Sequence, residues 1–152
     1  MSSNNESLNN HHKNHPSDRY APAWKTIEYL TFGEVINLYK GLRDATLKSQ
    51  ISLHFNVTNI NIFENYLDTM RLLRNTCAHG HNVFDLTLNK SLRAGPLKNI
   101  CGHYNDLVGC LLVAHYLLSS ISVNRASEFK SRIKELIEKP KNKNLRDITG
   151  YI

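Results

Sequence analysis

The chain has 152 residues, 41% hydrophobic and 21% charged, proportions that suit one globular domain with a core of its own rather than a fibrous or membrane-embedded protein. Its three cysteines lack disulfide-like spacing and its polar N-terminus lacks a signal-peptide pattern, which together argue for a reducing cytoplasm and against secretion. A formal charge of +6 and a pI of about 9.3 favour an anionic partner, nucleic acid ahead of a membrane surface.

Residues 1–19 are rich in Asn, His and Ser and read as a disordered polar tail, with His11, His12 and His15 in solvent. Residues 20–152 read as a single helical domain. A short helix is predicted from Pro22 to Leu30, with Trp24, Ile27 and Leu30 facing inward. Thr31 and Glu34 form a capping-box pattern for the next helix, which turns Phe32, Val35, Ile36, Tyr39 and Leu42 to one face and nears its end at Gly41. Asp44 can cap a third helix in which Leu47, Ile51 and Phe55 recur at helical spacing. Asn61 with Glu64 has the pattern of a cap for a long helix from Ile62 to Ala78.

That long helix carries Phe63, Tyr66, Leu67, Met70, Leu73 and Cys77 at three- and four-residue steps, one apolar stripe closed by Gly80. At about 100° per residue, Arg71, Asn75 and His79 share a flank, while Arg74 falls inside the stripe. A guanidinium buried there requires a carboxylate, a phosphate or a partner subunit. From His81 to Asn99, around Gly95-Pro96, a long loop is predicted beside this helix, a candidate for substrate or dimer contact. An apolar helix follows with Leu107, Val108, Leu111, Leu112 and Leu118; Asn105, Asp106 and His115 interrupt it, so it is too short and too polar to span a bilayer. Ser122 or Asn124 caps the last helix, with Phe129, Ile133, Leu136 and Ile137 inward and Pro140 past its end. Its other face is basic through Arg132 and Lys134 and on to Lys141, either a solvated charged face or a stripe for an RNA backbone.

The string Arg74-Asn75-Thr76-Cys77-Ala78-His79-Gly80 ends the long helix, and Tyr20-Ala-Pro-Ala-Trp24, Thr31-Phe32-Gly33 and Leu38-Tyr39 precede it. Arg74-Asn75-x-x-x-His79 resembles the Arg-to-His motif of HEPN-superfamily ribonucleases. Both blocks together are similar to the abortive infection (Abi) family of bacterial phage-defence proteins within that superfamily, over roughly Tyr20 to the C-terminus. The family carries a longer N-terminal region with its own helices, which makes this chain look like a short member. The resemblance implies an all-α, HEPN-like antiparallel bundle of about five or six helices. It further implies a metal-independent, toxin-like endoribonuclease acting in abortive infection, without a cofactor, as a homodimer with a composite cleft. Arg74, Asn75 and His79 would be catalytic and RNA the partner, with Arg71, His81, Arg132, Lys134 and Lys141 contacting it. An antitoxin or a guard RNA is a further candidate partner. The alternative is a non-catalytic HEPN module that binds RNA or protein in a defence or toxin–antitoxin system.

The residue types suit the chemistry. Cutting RNA without a metal uses the neighbouring 2′-hydroxyl as nucleophile, so one group takes its proton, another protonates the leaving 5′-oxygen, and a third steadies the phosphate. Histidine does the first two near neutrality and arginine the third through paired hydrogen bonds. Asn75, one turn before His79, can orient the imidazole or bind a phosphate oxygen. A zinc site from Cys77, His79, His81 and Cys101-Gly-His103 has the weaker spacing, because alternate residues on a helix point apart; Cys77 reads more simply as a small core residue.

Overall fold

The computed structural model describes residues 6–97, 100 and 102–138. Among the described residues seven helices run in the order α1 (Glu6–Asn14), α2 (Ala23–Ile27), α3 (Phe32–Gly41), α4 (Ala45–His54), α5 (Ile60–Ala78), α6 (Leu107–Ile121) and α7 (Val123–Glu138). No strand occurs among the described residues, so the protein is all-α, with one or two helices more than its sequence suggests.

Short polar residues set where most of these helices begin. Thr31 and Glu34 close the predicted capping box: the Thr31 N–H donates to Glu34 Oε2 at 2.7 Å, and the Glu34 N–H returns to Thr31 Oγ1 at 3.3 Å. Asp44 accepts from the Thr46 and Leu47 amides at the start of α4. Asp106 accepts from the Gly109 amide in α6, and Ser122 Oγ from the Arg125 amide in α7. Each such cap is worth about 1 kcal/mol. For α5 the capping residue is Asn59, whose side chain accepts from the Asn61 and Ile62 amides, and not Asn61 as expected. The helix therefore begins two residues earlier, and Glu64 is left to pair with Lys48 of α4 at 3.1 Å.

The helices group into two compact units, Met1–Gly41 and Leu42–Ile152. In the first unit, α1 occupies a stretch expected to be disordered. His11, expected in solvent, is buried, with its ring 4.9 Å from that of His15 and Nε2 3.3 Å from Asp18 Oδ2. The inward assignment of Trp24 and Ile27 fails, since both are exposed; a five-residue helix offers too little surface to enclose them. Ile36 and Tyr39 of α3 are buried as expected, while Phe32 and Val35 are not.

In the second unit α4 packs on α5, α5 on α6 and α6 on α7. Its centre holds Val57, Phe63, Tyr66, Cys110 and Val113, each fully buried. Phe55 stacks on Phe63 at 5.0 Å, and the Tyr116 hydroxyl, which meets Tyr66 edge-on, donates to the Asn56 carbonyl at 3.0 Å. On α7, Ala126 is buried and Phe129 and Ile133 half-buried, but Leu136 is exposed. Ile137, Pro140 and the basic run beyond them have side chains outside the described residues. No helix among the described residues is long and apolar enough to cross a membrane.

Candidate functional site

The C-terminal end of α5 is closed by its own backbone. The Gly80 N–H donates to the Cys77 carbonyl at 3.2 Å and the His81 N–H to the Thr76 carbonyl at 3.0 Å. These two bonds, with Gly80 at φ +66°, make a Schellman ending, which glycine forms without strain. His79 is the last helix-bound residue, its N–H on the Asn75 carbonyl at 3.0 Å. Folding the chain back in this way sets the His79 and His81 rings side by side, centroids 6.1 Å apart and tilted by 51°. Both histidines are exposed.

Arg74 departs from the sequence reading. Its place on the apolar stripe predicts burial, yet it is exposed, and its Nη1 donates to Asn75 Oδ1 at 3.0 Å. Cys77, read as a core residue, is exposed as well. The buried arc of α5 runs through Phe63, Asn65, Tyr66 and Thr69, so two polar residues replace the outer edge of the predicted stripe. The last two turns of the helix extend past the core and carry the motif into solvent.

A cleft of about 400 Å³ opens on the flank of α5 predicted to bear Arg71 and Asn75. The helix contributes Asp68, Arg71, Leu72 and Asn75, and the facing loop contributes Leu88, Asn89 and Lys90. Arg71 Nη2 lies 3.5 Å from Asp68 Oδ1. This loop is the one expected to flank the motif, and it is anchored rather than loose. Buried Asn65 donates to the Ser91 carbonyl at 3.2 Å and accepts from the Arg93 N–H at 2.9 Å. The Tyr66 hydroxyl donates to the Ala94 carbonyl at 2.9 Å. On the other side the Leu88 and Leu92 amides donate to the Asn105 and Tyr104 carbonyls at 2.8 and 2.7 Å. Asn65, Asn89 and Lys90 were not singled out by spacing; the available signal was a polar Asn65–Thr69 pair one turn apart on an otherwise core-facing side.

The structure thus brings together Arg74 with Asn75, His79 with His81, and Arg71 with Asn75 in the cleft wall. Two of the remaining predicted contacts, Arg132 and Lys134, lie on α7. Arg132 and Arg125 converge on one carboxylate, that of Glu128, at 2.6 and 3.1 Å, which draws that carboxyl below its usual range, Arg132 contributing most. Lys134 is exposed on the same helix, and Lys141 lies outside the described residues. Among the described residues no three His, Cys, Asp or Glu side chains gather as metal ligands would.

Comparison with known proteins gives one family, described as Abi-like protein, whose model matches residues 1–85. The match includes the first 19 residues, which the sequence resemblance left out, and it stops short of α6 and α7. No curated protein and no solved structure matches the chain. It covers α1 to α5, with the Arg74–His79 segment inside it, and spans more than half of the sequence; the chain belongs to the Abi-like family of abortive-infection proteins.

Proposed function

We propose that the protein is a HEPN-type, metal-independent endoribonuclease that acts in phage defence by abortive infection. The observation that carries the reading is the closure of α5. The His79 and His81 rings stand side by side at the helix end that also bears the exposed Arg74, and this arrangement supports reading the two imidazoles as an acid–base pair. One imidazole takes the proton of the 2′-hydroxyl while the other protonates the departing 5′-oxygen. Arg74, its guanidinium oriented by the bond to Asn75, steadies the charge on the phosphate. In the active species, a homodimer, two chains meeting along the exposed part of the α5 stripe bring two such ends into one composite cleft, where acid and base can come from different chains.

The test compares the parent with His79→Ala on RNA in the presence and absence of EDTA. His79→Ala should lose roughly two to four orders of magnitude in cleavage rate, the usual worth of general acid–base catalysis. EDTA should change nothing, and the products should end in a 2′,3′-cyclic phosphate. RNA bound but left intact by the parent protein would assign the domain to a binding role. Cutting by His79→Ala at the parental rate would refute the catalytic assignment.

A further inference from the structure

We propose that the cleft between α5 and the 88–90 loop holds one nucleoside monophosphate unit, with its phosphate between Arg71 and Lys90. That the unit belongs to an RNA chain rests on the ribonuclease reading; the cleft itself does not. At about 400 Å³ it is too large for a lone ion and falls in the small-molecule range. Its walls are preformed, because Asn65 and Tyr66 hold the loop from below while Asn105 and Tyr104 hold it from the side. Two cations face one carboxylate. Asp68 orients Arg71 from the preceding turn, and Lys90 makes no ion pair among the described residues, which leaves net positive charge for a phosphate. The carboxamides of Asn75 and Asn89 present donors and acceptors to the edge of a base, and Leu72 and Leu88 supply apolar surface to its face.

Asn75 also connects this cleft to the motif. It lines the cleft, and its side-chain oxygen takes a hydrogen bond from Arg74. A phosphodiester steadied by Arg74 therefore has its neighbouring nucleotide at the cleft mouth, so the cleft would select which linkage reaches His79.

The experiment titrates the full chain with AMP, CMP, GMP and UMP, and with adenosine and inorganic phosphate as the separate halves. At least one mononucleotide should bind with Kd below about 1 mM. Lys90→Ala and Arg71→Gln should each weaken it by about tenfold, the worth of a charge-assisted hydrogen bond. The same mononucleotide should compete with oligoribonucleotide cleavage. Absence of mononucleotide binding, or binding unmoved in both variants, overturns the proposal. So does phosphate that binds as tightly as the nucleotide, which would mark a simple anion site. Cleavage unaffected by saturating mononucleotide removes the RNA chain from the cleft. A parent that cuts no RNA but loses mononucleotide binding on Lys90→Ala would sink the ribonuclease reading and leave the cleft assignment standing.

Discussion

Asn65→Ala tests whether the cleft wall is built from within the helix. Asn65 is 3% exposed and uses both ends of its carboxamide, donating to Ser91 and accepting from Arg93. Each bond contributes about 1 kcal/mol net, and a buried group left without a partner costs about 1–3 kcal/mol. Ser91 and Arg93 lie on an exposed loop where water can replace part of what alanine removes, so the sum falls at about 2–3 kcal/mol. In urea, with an m-value of about 2 kcal/mol/M, the midpoint of the transition read at 222 nm should drop by about 1 M. Amide exchange adds a local reading: the Arg93 N–H loses its acceptor and should exchange at least about fivefold faster. The exposed neighbour Asn61→Ala is the control and should stay within about 0.5 kcal/mol of the parent. A midpoint and an Arg93 exchange rate both unchanged in Asn65→Ala would show that the loop is held by its other contacts and that Asn65 does not build the cleft wall.

Other outcomes follow from the same contacts. Burial pushes the Tyr66 hydroxyl and the Cys110 thiol up to about 12 each, the Asp106 carboxylate adding to the effect at Cys110. Both groups are neutral when protonated and the folded state holds their protons more tightly, so their contribution is complete below about 9 and is lost as pH rises toward 12. Melting temperature should fall across that window, less steeply in Tyr66→Phe and Cys110→Ala; an identical decline in both variants would refute the assignment. On α7, Glu128→Gln releases the two guanidiniums it holds, and should tighten RNA binding and steepen its salt dependence if this face meets the RNA backbone. Arg132→Gln with Lys134→Gln should do the reverse, and no change in either direction would leave a merely solvated face. Light scattering at micromolar concentration should give about twice the 17.4 kDa chain mass, whereas a strict monomer that cuts RNA would dispose of the composite site.

What the sequence determined by itself is local. Helix periodicity, the Thr31–Glu34 box, the Asp44 cap and the Gly80 ending depend on residues within a few positions of one another, and all four are realised. The abortive-infection family was legible in the same way, from contiguous residues around Arg74–His79 and Trp24–Tyr39. Only the tertiary structure decided which side of α5 is buried. Periodicity assigned Arg74 and Cys77 to the core, but a helix can continue past the body it packs on, and there its apolar stripe meets solvent. The burial of Asn65 and Thr69 was likewise invisible. Thr69 donates to the Asn65 carbonyl of its own helix, but the cost at Asn65 is met by a loop about 26–28 residues away in sequence, whose Ser91 carbonyl and Arg93 amide satisfy the carboxamide. That long-range exchange of hydrogen bonds helps turn the long loop predicted beside the motif into the wall of a cleft, and no spacing rule along the chain encodes it.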